Sequence, residues 1–238
     1  EAVEVLRQFK GFSYFTEMSD IINRLEDHVA SARMKTTPVI DFEKNESLKG
    51  LDYLDTIYHA IVNEHPIQLK YRSFKARSAN SFIFYPYLLK EYRNRWFVYG
   101  VRGNGRILQN LALDRIQSLE VLPQEHYIKN TFFDPNTFFD DLVGVTKNTG
   151  SVAEKVGFKV AAAEAPYIIT KPIHRSQQVM ERLADGSVIL EIEVVINHEL
   201  ERVFFGYAEG IQVLYPKTLV ELMGRKLKKA AEQYTHSK

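Results

Sequence analysis

Residues 95–116 read RWFVYGVRGNGRILQNLALDRI, and this stretch decides the fold. The run over residues 96–102 is rich in aromatic and β-branched side chains, which favour strands. Gly103-Asn104-Gly105 follows it and indicates a tight hairpin, because Gly and Asn accept the positive φ that such turns need. Residues 107–113 are then predicted to return as a strand, and residues 116–122 to form one more.

Two further strands are predicted upstream of this stretch. Residues 67–72 alternate between apolar and polar side chains, the period of two that is typical of a half-buried strand. Residues 82–85 predict a second strand, which we expect to stop at Pro86. Together with a preceding helix over residues 51–64, five short strands predict a small, partly closed β-barrel at residues 65–125.

The N-terminal part of the chain predicts helices. Over the first 35 residues, apolar side chains recur at three- and four-residue spacing, which indicates one apolar helix face. These side chains are Phe15, Met18, Ile21, Ile22, Leu25 and Val29. We therefore interpret residues 1–64 as a helical connector that leads into the barrel.

The C-terminal part predicts a second small domain. Residues 126–150 are irregular and are interpreted as a linker with one short helix. Residues 151–238 then predict the order β-α-β-β-α-β with an added helix, which is the ferredoxin-like arrangement. Within it, Asp185-Gly186 indicates a hairpin, and Asn197 is placed to cap a helix that starts at the next residue. The fold class is therefore α+β.

The net charge of +1 hides a strongly basic region. Residues 70–115 contain ten Lys and Arg against two acidic residues, a net charge of +8, and the same window holds ten aromatic residues. Cations bind phosphates and rings stack on bases, so this composition suits an anionic ligand that carries flat rings. The alternative is that the rings fill a barrel core and the cations form a solvated face.

Several of these motifs resemble the WYL domain family, named for a Trp-Tyr-Leu triplet. The resemblance is carried by Trp96-Phe97-Val98, by Leu111-Ala112-Leu113-Asp114-Arg115-Ile116 and by Tyr85-Pro86-Tyr87-Leu88-Leu89-Lys90. The tail, with Val213-Leu214-Tyr215-Pro216, is similar to the C-terminal extension of that family. Residues 6–12 resemble the connector that follows a winged helix-turn-helix in such regulators.

The resemblance implies a five-stranded Sm-like, SH3-type barrel that senses a ligand for an N-terminal DNA-binding domain, which we expect to be missing here. It further implies a homodimer, a single-stranded nucleic acid or nucleotide as ligand, and operator DNA as partner of the missing domain. Three positions depart from the family pattern: Phe97 replaces the Tyr of the triplet, and Phe82 and Asn110 stand where an Arg is often found.

Eight residues are candidates for the ligand site. The cations are Arg93, Arg95, Arg102, Arg106 and Arg115, and the rings for stacking are Tyr71, Trp96 and Tyr99. By strand alternation, Trp96 and Arg102 should share one face and Tyr99 should lie on the other. Trp96 and both tyrosines can equally be core residues, and Arg115 can equally be held in an ion pair with Asp114.

Other functional classes have weaker support. The absence of Cys excludes disulfides, Cys-ligated metals and thiol nucleophiles. The seven His are scattered, and no catalytic constellation, metal motif or cofactor motif is found, so no enzyme activity and no cofactor are expected. No apolar run is long enough to span a membrane, and a cytoplasmic location without membrane contact is expected. The alternative function is a protein-interaction or dimerisation module that recognises an acidic partner segment.

Overall fold

The computed structural model describes residues 49–103 and 105–235, so the predicted helix over residues 1–35 lies outside the described residues. The chain divides into two compact units, one ending at Phe132 and the other beginning at Phe133. Each unit contains one antiparallel sheet and its own apolar core. The α+β class predicted from the sequence is confirmed.

The first unit contains one helix and five strands. A 3-10 helix at Leu51–Tyr53 leads into α1, and a second 3-10 helix at Leu113–Arg115 separates the last two strands. The elements are α1 (Leu54–Val62), β1 (Ile67–Tyr71), β2 (Asn80–Tyr92), β3 (Arg95–Arg102), β4 (Gln109–Ala112) and β5 (Ile116–Val121). The sheet order is β4-β3-β2-β1-β5. The five predicted strands are confirmed, and within the described residues their pairing forms an open sheet with β4 and β5 at its edges.

The core of the first unit lies between α1 and one face of the sheet. Ile57 of α1 packs with Ile67 and Leu69 of β1 and with Phe84 of β2, and all four side chains are fully buried. Burying each such side chain contributes about 1.5–3 kcal/mol. This helix-covered face therefore fixes the register of the strands, because a slip of one residue would expose the whole set.

The prediction that the second strand stops at Pro86 is wrong, since β2 continues to Tyr92. Pairing of β2 with β1 ends at Phe84, so Pro86 has a paired strand only on the β3 side, where it lies opposite Gly100. The register shifts between Pro86 and Leu88, which is where a residue without an N–H is tolerated. The following strand is also shorter than predicted, because β4 begins at Gln109.

The second unit has the element order predicted from the sequence. Its elements are β6 (Glu154–Val160), α2 (Ala165–Thr170), β7 (Gln178–Arg182), β8 (Val188–Val194), α3 (His198–Gly206), β9 (Ile211–Tyr215) and α4 (Lys217–Thr235). A 3-10 helix at Ala208–Gly210 joins α3 to β9. The sheet order is β7-β8-β6-β9. None of the helices within residues 49–103 and 105–235 is long and apolar enough to cross a membrane.

The side chain of Asn197 links helix α3 by hydrogen bonds to the segment that precedes β6 in the sequence. Its side chain accepts a hydrogen bond from the backbone N–H of Leu200 at 2.9 Å, which confirms the predicted cap. Its amide also donates to the carbonyl oxygens of Val143 and Thr146 at 2.9 and 3.0 Å. The short helix predicted for residues 126–150 is not formed: residues 135–141 make consecutive turns that begin where Asp134 accepts hydrogen bonds from Asn136 and Thr137.

Candidate nucleic-acid interface

The strand register confirms the predicted faces of β3. Trp96 lies opposite Glu91 and Arg102 lies opposite Phe84, so both share the helix-covered face of the sheet. Tyr99 pairs with Leu88 and Asn110 on the opposite face, where it is only 2% exposed. Trp96 is partly buried against the core cluster. All three predicted stacking rings therefore contribute to packing, since Tyr99 is buried and Trp96 and Tyr71 are partly buried against the core cluster.

Tyr71 and Arg115 are brought together where β1 ends. The Arg115 side chain lies close enough to the Tyr71 hydroxyl to act on its pKa. Burial raises the pKa of Tyr71, and the nearby Arg115 charge opposes this rise without cancelling it. Phe74, from the loop after β1, lies under the Arg115 guanidinium at 4.5 Å from the ring centroid and is 74% exposed. A cation and an exposed ring therefore stand side by side.

Arg102 forms a second pairing of the same kind. Its guanidinium lies 4.1 Å from the centroid of the Phe82 ring. Phe82 pairs with Leu69 of β1, two residues from Tyr71, so Phe82 and Tyr71 are diagonal neighbours on one face. We call this group the aromatic–arginine cluster, and it consists of Tyr71, Phe74, Phe82, Arg102 and Arg115.

Arg95 is the first residue of β3 and is tied to the cluster through Asp114. Arg95 Nε lies 3.1 Å from Asp114 Oδ2, and Arg115 Nε lies 3.7 Å from Asp114 Oδ1. Asp114 is largely buried, with its side chain 13% exposed, whereas Arg95 is half-exposed. Arg115 therefore makes both contacts: it is ion-paired with Asp114, as the alternative interpretation expected, and it lies on the Phe74 ring.

The remaining two cations lie in turns. Arg93 and Asn94 both have positive φ, 50° and 59°, which is the backbone of a two-residue hairpin turn between β2 and β3. The backbone N–H of Asn94 donates to Glu91 Oε1 at 2.6 Å and fixes this turn. Arg93 is exposed and lies 5.4 Å from the Tyr92 ring. Arg106 is exposed in the loop that follows β3.

The predicted residues form an extended line of cations and rings rather than one compact set. Arg95 and Arg102 stand at opposite ends of β3, about 23 Å apart at the strand rise per residue, and as they are seven residues apart they extend from opposite faces of the strand. Asp114, Arg115, Tyr71 and Phe82 connect the two ends by the contacts given above. Arg93 lies beyond one end and Arg106 beyond the other, and Tyr99 is on the opposite face.

The sequence reasoning missed Phe74 and Phe82 as site residues. Phe82 had a usable signal, because it alternates with Phe84 and so shares the face of the buried β2 residues. Phe74 had none beyond being an aromatic residue in a polar loop. Asp114 was recognised only as a partner of Arg115, since no local pattern links it to Arg95, nineteen residues earlier.

The opposite face of the sheet carries a separate aromatic group, formed by Tyr85, Tyr87, Tyr127 and Phe132. Tyr87 stacks on Phe132 at 6.0 Å between ring centroids, and the Tyr127 hydroxyl donates to the carbonyl oxygen of Pro86. Burial, followed by the neighbouring Tyr85, raises the pKa of Tyr87 to about 12. Burial likewise raises the pKa of Tyr127. These rings hold the segment after β5 against β2.

Within residues 49–103 and 105–235, no group of three or more His, Asp or Glu side chains is arranged to hold a metal ion. The candidate site of the first unit consists of cations and rings, which are groups suited to anion binding and stacking.

The comparisons with known proteins identify both units. The WYL domain matches residues 52–121, and the WCX domain matches residues 153–231. The chain therefore contains a WYL domain followed by a WCX domain, and the resemblance inferred from its motifs is confirmed. The two domains together indicate a regulatory sensing module.

Solved structures give weaker similarity. Proteasome accessory factor B/C (PafBC) of Arthrobacter aurescens is 16% identical to this chain, with a TM-score of 0.32. The match covers 81% of this chain and 28% of the PafBC chain. A CRISPR Cas-related protein is 12% identical to this chain, with a TM-score of 0.46. The match covers 78% of this chain and 52% of the CRISPR Cas-related chain. The chain thus spans about a quarter and about half of these two chains. No curated protein matches the sequence significantly.

Proposed function

We propose that this chain is the ligand-sensing part of a cytoplasmic transcriptional regulator and that its WYL domain binds single-stranded nucleic acid. The ligand lies along the aromatic–arginine cluster, with phosphates on Arg102, Arg115 and the flanking Arg93, Arg95 and Arg106, and with bases on Phe74 and Phe82. Binding is relayed to an N-terminal domain that contacts operator DNA, and the regulator acts as a homodimer without membrane contact.

The observation that carries this proposal is the pairing of cations with rings. Two guanidiniums, those of Arg102 and Arg115, lie on aromatic rings within 4.1 and 4.5 Å. A guanidinium above a ring offers a phosphate contact next to a stacking surface, which are the two contacts that a nucleotide unit makes. The exposed Phe74 ring supports the same assignment, because a ring this exposed contributes little to the core.

The length of the line of cations favours a single-stranded nucleic acid over a mononucleotide as the ligand. A mononucleotide meets one or two of the cations, whereas an extended polyanion can meet cations at both ends of β3. A nucleotide-like anion remains compatible with the cluster itself, and affinity should then rise with the number of nucleotides in the ligand.

We also infer the finer fold assignments that the family implies. The strand order of the first unit and the 3-10 helix between β4 and β5 are compatible with an Sm-like barrel. The order β-α-β-β-α-β of the second unit is compatible with a ferredoxin-like domain.

The test is binding of a fluorescein-labelled oligothymidylate of about 12 nucleotides, a length that one small barrel can cover. Anisotropy measured at about 50 and 200 mM salt should show a loss of affinity of about 100-fold, the value for the phosphates that these five arginines would neutralise on a single strand. Absence of binding at the lower salt concentration would contradict the proposal.

An oligoglutamate of matched charge tests the alternative, an acidic protein partner. It offers charge without rings, so it should bind more weakly than the oligothymidylate if stacking contributes about 1–3 kcal/mol per base. Equal affinity for the two probes would favour the protein-interaction module instead.

A further inference from the structure

Asp114 occupies an unusual position within the site. It is the middle residue of the 3-10 helix Leu113–Arg115, and its carboxylate lies between two guanidiniums, with Arg95 at 3.1 Å and Arg115 at 3.7 Å. Only 13% of its side chain is exposed. The carboxylate thus stands where a phosphate would have to stand in order to meet both cations.

The ion pair is also incompletely satisfied. Asp114 Oδ1 and Arg115 Nε are both buried and have no hydrogen-bond partner among the described residues. Buried polar atoms that lack partners cost free energy, and a ligand oxygen that reaches Arg115 Nε would remove that cost. Asp114 therefore holds Arg115 by charge and without a hydrogen bond to Nε. A ligand oxygen that accepts this hydrogen bond can take the place of the carboxylate.

We propose that Asp114 is a built-in competitor, a carboxylate that holds Arg95 and Arg115 until a polyanionic ligand displaces it. This inference rests on the proposed function and adds a selectivity to it. A tethered carboxylate acts at high effective concentration, so a single phosphate competes with it poorly. A nucleic-acid strand that is also anchored at Arg102 brings a phosphate from further along the same strand to this position at comparable effective concentration, and this phosphate displaces Asp114.

The opposite role for Asp114 predicts the opposite sign. If the carboxylate instead orients Arg95 and Arg115 toward the ligand, its removal weakens binding. If it competes, its removal strengthens binding, and most of all for a ligand with one phosphate. The sign of the change therefore decides between competition and positioning.

The experiment compares Asp114→Asn with Glu120→Gln, using oligothymidylate and thymidine monophosphate as probes. Glu120 is an exposed carboxylate on β5, so its replacement makes the same change in net charge away from Arg95 and Arg115. We expect Asp114→Asn to bind the oligonucleotide about three- to tenfold more tightly, with a larger relative gain for the monophosphate. Glu120→Gln should change both affinities by less than about twofold.

A double-mutant cycle that combines Asp114→Asn with Arg95→Gln keeps the proposal testable if one variant folds poorly. The gain from Asp114→Asn should shrink when Arg95 is absent, because one of the two released cations is then missing. Unchanged or weaker oligonucleotide binding by folded Asp114→Asn overturns the competitor role and leaves the proposed function standing. If wild type and Asp114→Asn both fail to bind at low salt, the proposed function and this inference fail together.

Discussion

The two units of this protein use their cations in different ways. In the second unit, several basic side chains are paired with carboxylates: Lys155 lies 3.0 Å from Glu191, Arg175 lies 2.6 Å from Asp140 and Lys159 lies 3.5 Å from Asp185. In the first unit, Arg102 and Arg115 lie on aromatic rings, and only Arg115 of the two also faces a carboxylate, that of Asp114.

This difference separates charge used for stability from charge available for binding. When a cation is paired with a carboxylate, its charge is neutralised within the protein, and an exposed ion pair of this kind adds little stability. A cation on a ring keeps its charge, because the ring offers only a weak attraction. Comparable substitutions should therefore change binding in the first unit and leave it unchanged in the second.

The largest effect is expected for the double variant Arg102→Gln with Arg115→Gln. It removes two phosphate contacts, and the affinity for oligothymidylate should fall on the order of 100-fold, with a shallower salt dependence. The matched control is Lys155→Gln with Arg175→Gln in the second unit, which changes the charge equally and should bind as wild type does. Loss of affinity in both double variants would mean that net charge alone drives binding.

Asn197→Ala should give the next largest effect, on stability and not on binding. The change removes the cap of α3 and two hydrogen bonds to the carbonyls of Val143 and Thr146. The free energy of unfolding should fall by about 2 kcal/mol, measured by urea denaturation followed by circular dichroism. Asn148→Ala, at an exposed position, is the control. A weaker affinity of folded Asn197→Ala for the oligonucleotide would break the separation between the units.

These two variants also mark what the sequence could predict. Local signals were sufficient for the Asn197 cap, for the hairpin at Gly186 and for the facing of Trp96 and Arg102, because each depends on residues that are close in sequence. The bulge at Pro86 was missed, since its tolerance depends on where pairing with β1 ends. The contacts of Arg95 with Asp114 and of Arg102 with Phe82 depend on tertiary placement, which a local pattern does not encode.

Phe74→Ala should lower oligonucleotide affinity by about tenfold, within the range for one stacked base. Phe74 is 74% exposed, so its removal should leave the stability of the first unit nearly unchanged. Tyr234→Ala is the matched control, because Tyr234 is an 85% exposed ring on the second unit. If the two alanine variants bind equally well, Phe74 is a surface ring without a ligand and the stacking part of the proposal fails.

The smallest effect concerns the opposite face of the first unit, where rings serve packing. In Tyr127→Phe the ring stays and the hydrogen bond to the Pro86 carbonyl is lost, leaving a buried acceptor without its donor. The free energy of unfolding should fall by about 1 kcal/mol, measured by urea denaturation followed by the fluorescence of Trp96. Tyr234→Phe should unfold as wild type does. Because Tyr127 lies away from the aromatic–arginine cluster, oligonucleotide affinity should stay unchanged. A drop in affinity with unchanged stability would move the site to the opposite face and place Tyr87 and Tyr127, and not Phe74 and Phe82, in contact with the ligand.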